Sequence, residues 1–160
     1  YYMSTISHYG EESLTNINDV VIKKNPYLEM SEFGWTIDSI GLRITLRQLY
    51  DRYEMPIYIV ENGFGYDDQI IDGKIEDDYR IDYMKKHIEQ MKLAVKEGVD
   101  CRGYLAWGPV DILSSRAQMK KRYGFIYVDR DNHDLKDMKR IKKKSFDWFK
   151  EVIESNGEIL

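Results

Sequence analysis

The chain has 160 residues, of which 42% are hydrophobic, and its 24 basic and 28 acidic side chains give a formal net charge of −4. This composition suits one domain with a substantial core, and the mild acidity argues against nucleic-acid binding. The single cysteine, Cys101, excludes an internal disulfide framework and favours a reducing, cytoplasmic location. No apolar stretch approaches the roughly 20 residues of a membrane span.

Strands and helices are predicted to alternate along the chain. Residues 1–7 are predicted as a strand and residues 8–38 as a long connection. A helix over 39–54, with Asp38 or Ser39 as its N-cap, leads to a short apolar strand over 57–60. A long amphipathic helix over 78–98 carries His87 on its apolar stripe, which favours a packed histidine over a ligand. The remaining predictions are strands over 103–108 and 124–129 and a helix over 143–155.

Short apolar strands without clean alternation are typical of parallel strands covered on both faces. Two α/β architectures fit, an open doubly wound sheet or part of a (β/α)8 barrel, and a complete barrel takes about 250 residues. The chain also opens on two tyrosines without an initiating methionine. We therefore expect it to be a piece of something longer.

Polar and aromatic side chains collect at the carboxyl ends of the predicted strands, where parallel α/β folds place their functional residues. These residues are Tyr2, Ser4, Glu61, Asn62, Trp107 and Asp111. A bare glutamate that ends an apolar strand is costly unless it is hydrogen-bonded or has a chemical role, so Glu61 is either an ion-pair or capping carboxylate or a functional one. The basic run at 136–144 is interpreted as a solvated helix entry.

Three separated segments resemble one family. They are IVENG around Glu61, YLAWGPVD around Trp107, and KRYGFIYVD, which begins at Lys121. In this order and at this spacing they resemble the C-terminal part of the retaining β-glycosidases of glycoside hydrolase family 1. The resemblance implies a partial (β/α)8 barrel of about the last three βα units, with residues 1–160 forming one incomplete domain.

The same resemblance implies roles for individual residues. Glu61 matches the family nucleophile, and Tyr2 matches the tyrosine whose hydroxyl contacts that nucleophile. Trp107 matches the tryptophan stacked beneath the sugar ring, and the alternative is that it is a core residue. Trp35 is expected either to line the approach of the leaving group or simply to pack.

A further group of residues resembles the phosphate-binding set of the 6-phospho-glycosidases. Ordinary β-glucosidases carry a Glu-Trp pair where this chain has Ser114 and Ser115, and Lys121 and Tyr123 follow downstream. A carboxylate would repel a phosphate, whereas a hydroxyl, an ammonium and a phenol can all donate to its oxygens. Ser115 stands where the 6-phospho-β-galactosidases have tryptophan, which favours a gluco-configured 6-phospho-β-glucoside. The three histidines are scattered and the sequence shows no metal-ligand spacing, so we expect no metal and no cofactor.

Retaining hydrolysis requires a second carboxyl. In the family that this chain resembles, that carboxyl is the glutamate of an Asn-Glu-Pro segment, and the chain contains no such segment. The isolated chain is therefore expected to be inactive, and to pair with a missing N-terminal barrel half or self-associate through exposed edges. Two alternatives stay open: a non-catalytic half-barrel that binds phosphosugars or a protein, and an unrelated flavodoxin-like domain. The latter leaves the register of Ser114, Lys121 and Tyr123 unexplained.

Overall fold

The computed structural model describes the backbone of residues 13–17 and 20–23, and residues 25–115 and 117–160 in full. The strand predicted at 1–7, with Tyr2, lies outside the described residues. The chain divides into two units, one built from residues 1–57 and 89–101 and the other from residues 58–88 and 102–160. Within the described ranges, no helix is both long enough and apolar enough to cross a membrane.

A β-hairpin opens the described part of the chain. Strands β1 (Ser13–Ile17) and β2 (Val20–Lys23) pair antiparallel, with Ile17 opposite Val20. The prediction of a long connection over 8–38 missed these two strands. The overlooked signal is the β-branched run Val20 to Ile22 after an Asn-Asp pair, a sequence typical of a hairpin turn.

Helix α1 (Ser39–Tyr53) confirms the predicted helix and its N-cap, because the Asp38 Oδ1 atom accepts a hydrogen bond from the Gly41 N–H at 2.8 Å. Leu42 and Leu46 are buried one turn apart. The helix ends at Glu54, whose left-handed backbone (φ 49°) directs its N–H to the Tyr50 carbonyl.

Strands β3 (Ile57–Asn62) and β4 (Cys101–Ala106) are neighbours in one sheet, and helix α2 (Asp78–Lys96) joins them. The Ile57 N–H donates to the Asp100 carbonyl near the start of the pair, and the Trp107 N–H donates to the Asn62 carbonyl at its end. The two strands therefore run parallel, and β3–α2–β4 is a βαβ unit. His87 is 1% exposed on α2 and its Nδ1 lies 2.7 Å from the Tyr83 carbonyl, so it packs as predicted.

The C-terminal part forms a second hairpin and a helix. Strand β5 (Ile126–Val128) lies inside the predicted strand at 124–129 and pairs antiparallel with β6 (Arg140–Lys142), which was not predicted. Helix α3 (Lys144–Glu154) confirms the predicted closing helix. Gly157 follows it at φ +76°, and its N–H donates to the Val152 carbonyl.

Candidate active site

Glu61 is the second-to-last residue of β3 and is exposed. Within the described residues its carboxylate has neither a hydrogen bond nor an ion pair. The next residue, Asn62, is 7% exposed, and its side-chain oxygen accepts a 2.6 Å hydrogen bond from the Tyr104 hydroxyl. Because consecutive strand residues point to opposite faces, the buried amide fixes the strand end while the carboxylate stays uncommitted.

The end of β3 is also tied to the end of β4. The Asn62 carbonyl accepts the Trp107 N–H at 2.8 Å, so the residues that follow the two parallel strands lie side by side. A Cβ atom on Gly63 would approach the Trp107 Cβ to 3.0 Å. The indole of Trp107 keeps 37% of its surface exposed. The loop after Glu61 therefore packs against a tryptophan that remains accessible.

Gly65, in the same loop, lies against the predicted phosphate pair. A Cβ atom built on it would fall 2.7 Å from the Lys121 Cε and 3.0 Å from the Tyr123 Cε1. Since contacts this short do not occur, only glycine lets the loop approach these two side chains so closely. The structure thus brings the loop that begins at Glu61 against Lys121, Tyr123 and Trp107.

Lys121 and Tyr123 are held by a short antiparallel bridge. Tyr66 and Arg122 exchange both backbone hydrogen bonds, at 2.9 and 3.0 Å. The Lys121 Nζ lies 5.5 Å from the centre of the Tyr123 ring, so the two side chains share one face of the bridge. Burial raises the pKa of the Tyr123 phenol to about 12, so at neutral pH it is protonated and can donate a hydrogen bond.

The two predicted serines differ in their surroundings. Ser114 is 9% exposed, and its hydroxyl oxygen accepts the Gln118 N–H at 3.2 Å, which closes a tight turn. The Ser114 N–H returns a hydrogen bond to the Gln118 carbonyl at 3.0 Å. Ser115 is exposed. The Ser114 hydroxyl therefore contributes to the shape of the loop, whereas Ser115 is an exposed residue of that loop.

Trp35 belongs to the first unit and is 46% exposed. It sits in a turn in which its N–H donates to the Ser31 hydroxyl at 3.1 Å and its carbonyl accepts the Ser31 N–H at 2.7 Å. This local geometry accounts for the position of its backbone, and the partly exposed indole is not a core residue of that unit.

Sequence reasoning missed a group of charged side chains in the second unit. Each is no more than 5% exposed, and together they are called the buried ion cluster: Asp68, Asp77, Arg80, Asp111, Arg122 and Lys143. Lys143 bridges Asp68 and Asp111, with an Nζ–Oδ1 distance of 2.7 Å to Asp111. Arg80 pairs with Asp68 at 2.9 Å and with Asp77. The Arg122 Nε lies 3.5 Å from the Asp111 Oδ2.

The cluster balances its charges, since three carboxylates face three cations. Burial raises the pKa of the Asp111 carboxyl, and the nearby Lys143 ammonium opposes that shift. Burial likewise lowers the pKa of Lys143, and Arg80 adds to this effect. Both shifts reflect the free energy of removing a charge from water. The oppositely charged neighbours of each group oppose the shift.

Two interpretations change because of this cluster. Asp111 lies after β4 among the polar strand ends, but it accepts hydrogen bonds from Lys143 and from the Gly124 N–H at 2.9 Å, and is not an accessible site carboxylate. The basic run at 136–144 was predicted to be solvated, but Lys143 within it is buried, with only 1% of its surface exposed. One feature of the sequence does mark Lys143, because it stands just before α3 and a cation is unusual at a helix N-terminus.

Comparison with known proteins places this geometry in context. The family model "Glycosyl hydrolase family 1" matches residues 1–158. An aryl-phospho-β-D-glucosidase of Bacillus subtilis is 52% identical over the whole chain, and a 6-phospho-β-glucosidase of Dickeya chrysanthemi is 49% identical. The chain spans only 35% of the length of each of these two relatives.

A solved family 1 β-glucosidase from Thermotoga maritima has a similar structure. It is 34% identical, with a TM-score of 0.76 over 84% of this chain and 30% of its own length. This likeness supports the assignment of the chain to part of a (β/α)8 barrel, and the parallel β3–α2–β4 unit agrees with it.

Proposed function

The chain belongs to glycosyl hydrolase family 1, and from this we propose that it is the C-terminal part of a retaining 6-phospho-β-glucosidase. It would form about the last three βα units of the barrel. The observation that carries the proposal is the contact of Gly65 with both Lys121 and Tyr123, in the loop that starts at Glu61. The loop that follows an uncommitted carboxylate therefore lies against a cation–phenol pair on a neighbouring segment.

Glu61 acts as the nucleophile in this proposal. A carboxylate oxygen attacks the anomeric carbon, the bond to the leaving oxygen breaks, and a glycosyl-enzyme ester forms. Water then attacks the same carbon and releases the sugar, which restores the carboxylate. The exposure of Glu61 and its lack of partners within the described residues support this role, because its lone pairs are uncommitted.

Lys121 and Tyr123 bind the 6-phosphate, with Ser114 or Ser115 as the third donor. An ammonium and a protonated phenol complement a phosphate that carries between one and two negative charges at neutral pH. Ser115 is an exposed residue, while the buried Ser114 has a hydroxyl that already accepts the Gln118 N–H. The two similar proteins named as phospho-glucosidases support a phosphorylated substrate.

Aromatic residues complete the proposed sugar site. The accessible indole of Trp107 covers the apolar face of the sugar ring. Tyr2, which lies outside the described residues, is proposed on the resemblance alone to orient the Glu61 carboxylate.

The proton donor comes from outside these 160 residues, because they contain no Asn-Glu-Pro segment. General acid–base assistance contributes about 10²–10⁴-fold, so the isolated chain has little or no turnover. Large apolar side chains on β3 and β4 are exposed, namely Tyr58, Val60 and Leu105, and they favour association with an N-terminal barrel half or with a second copy. With one cysteine the chain forms no internal disulfide, which is compatible with a cytoplasmic location.

The test is a fusion of this chain to the N-terminal part of the Bacillus subtilis relative, called the assembled enzyme below. We expect it to hydrolyse a chromogenic 6-phospho-β-glucoside with a kcat/KM at least about tenfold above that for the unphosphorylated glucoside. Lys121→Ala should reduce this preference, and Lys120→Ala is the matched control, because Lys120 pairs with Asp67 in an exposed contact. Equal rates for the two substrates would contradict the phosphate assignment.

A non-catalytic phosphosugar-binding half-barrel is the competing function. It predicts that glucose 6-phosphate binds in calorimetry while the assembled enzyme, although folded, produces no chromophore. Hydrolysis that depends on Glu61 excludes it.

A further inference from the structure

The buried side chain of Arg122 holds the segment that carries Lys121 and Tyr123 in place. The Arg122 guanidinium donates to the Met119 carbonyl at 2.6 Å, to the Tyr127 hydroxyl at 3.1 Å and to the Arg130 carbonyl at 2.9 Å. Its central carbon also lies 4.3 Å from the centre of the Tyr127 ring. These contacts anchor both ends of the segment that carries the proposed phosphate pair.

A second arginine holds the same segment through its backbone. The Arg80 guanidinium donates to the Arg122 carbonyl at 3.1 Å, and that carbonyl also accepts the Tyr66 N–H at 2.9 Å. Arg80 is itself held by Asp68 and Asp77. Through Arg80, the buried ion cluster therefore contacts the peptide group that joins Arg122 to Tyr123.

Alternation along an extended segment separates the two faces. Lys121 and Tyr123 lie on one side, against Gly65, while Arg122 between them is 3% exposed on the other. Arg122 has no access to a ligand on the Gly65 side. It can act only through the segment it holds.

We propose that Arg122 is a positioning residue for the phosphate group, because its buried guanidinium fixes the backbone from which Lys121 and Tyr123 project. This inference rests on the proposed function. A rigid, pre-oriented donor pair loses less conformational freedom when it binds an anion, so affinity for the phosphate depends on a side chain that never touches it. A purely structural Arg122 would affect the amount of folded enzyme and nothing else.

The kinetic test uses the assembled enzyme with Arg122→Met, Arg122→Lys and the control Arg130→Met. Arg130 is a suitable control because its guanidinium donates to the Asp131 carbonyl in an exposed contact. For the 6-phospho-β-glucoside we expect Arg122→Met to raise KM about tenfold or more, while kcat per folded enzyme falls less. Arg122→Lys should give a KM between that of the unsubstituted enzyme and that of Arg122→Met, since lysine keeps the charge but lacks the planar set of donors of the guanidinium.

A double-mutant cycle shows whether Arg122 acts through Lys121. In a Lys121→Ala background, Arg122→Met should raise KM by less than about threefold, because the group it positions is already absent. If the two effects multiply in full, or if Arg122→Met lowers kcat with an unchanged KM, the positioning role is wrong. If Lys121→Ala alone leaves KM unchanged, the phosphate site itself fails, and the inference fails with it.

A milder variant covers the case in which Arg122→Met does not fold. Tyr127→Phe removes only the hydroxyl that accepts from Arg122 at 3.1 Å. We expect it to raise KM for the phosphorylated substrate about threefold and to have no further effect in the Lys121→Ala background. An unchanged KM in both Tyr127→Phe and Arg122→Lys would overturn the proposal.

Discussion

The end of β3 and the buried ion cluster use the same chemical group in opposite ways. Glu61 is exposed and has no partner within the described residues. Asp111 is 5% exposed and accepts hydrogen bonds from Lys143 and from the backbone of Gly124. A carboxylate that attacks carbon needs an uncommitted lone pair, whereas one that supports the fold must have every lone pair satisfied. Glu61 lies at the carboxyl end of β3 and Asp111 lies beyond the carboxyl end of β4, so position alone does not distinguish them.

The largest expected effect is on catalysis. Glu61→Gln in the assembled enzyme should lower kcat for the 6-phospho-β-glucoside by at least about 10⁴-fold, because an amide is a far weaker nucleophile. The free energy of unfolding should change by less than about 0.5 kcal/mol, since an exposed side chain without partners is replaced. Glu151→Gln, an exposed substitution on α3, is the control and should change neither quantity. A comparable residual rate in the two variants would contradict the nucleophile assignment.

Asp111→Ala should show the reverse pattern. It leaves Lys143 and Arg122 less compensated in a buried site, and breaking such a pair costs about 3–5 kcal/mol. Thermal or urea unfolding of the assembled enzyme measures the loss. The matched control is Asp131→Ala, which removes a pairing with Lys136 at the surface and should cost at most about 1 kcal/mol. Equal losses for Asp111→Ala and Asp131→Ala would mean that the cluster does not stabilise the fold.

Gly65→Ala tests the link between the Glu61 loop and the phosphate pair. The new methyl would lie 2.7 Å from the Lys121 Cε, so the flexible lysine must move and the loop is retained. We expect KM for the 6-phospho-β-glucoside to rise about tenfold, with a smaller change in kcat. Gly103→Ala, which crowds the Tyr58 ring at 2.7 Å, is the matched control. A similar KM in both variants would show that Lys121 does not contact the substrate.

The smallest expected effect concerns pH. Burial raises the pKa of Tyr123 to about 12, so its proton, and with it the hydrogen bond, is lost only as the pH rises through that value. The ratio of the dissociation constants of Tyr123→Phe and the unsubstituted assembled enzyme for glucose 6-phosphate should therefore stay constant from about pH 8 to about pH 10. A phenol of ordinary pKa would lose about half of this contribution near pH 10. Calorimetry at several pH values distinguishes the two.

Local sequence patterns were sufficient for the elements that position the site. Caps and apolar runs predicted α1, β3, β4 and α3 to within a few residues, and the strand-end glutamate could be singled out. The resemblance of Ser114, Lys121 and Tyr123 to the phosphate-binding set of the 6-phospho-glycosidases implied a phosphate site, whereas the contact of Gly65 with Lys121 and Tyr123 is visible only in the structure. That site stays a prediction until the phosphate assay is done.

The buried ion cluster could not be found in this way, because its partners lie far apart in the sequence. Lys143 reaches Asp111 across 32 positions, and Ser145 donates to Asp77 across 68. A lysine in a basic run is normally solvated, and only the fold brings the compensating carboxylates to it. Strand β6 was missed for a related reason, since its residues Arg140–Lys142 have no strand pattern and pair only through β5.

The most direct test of the central claim is to trap the covalent intermediate. The assembled enzyme is incubated with a 2-fluoro-6-phospho-β-glucoside that bears a good leaving group, which slows release of the glycosyl-enzyme, and is then digested and analysed by mass spectrometry. The account predicts one added phosphosugar on the peptide containing residues 56–65, attached to Glu61, and none in Glu61→Gln. A label on any other carboxylate, or turnover without a label in a folded enzyme, would contradict it.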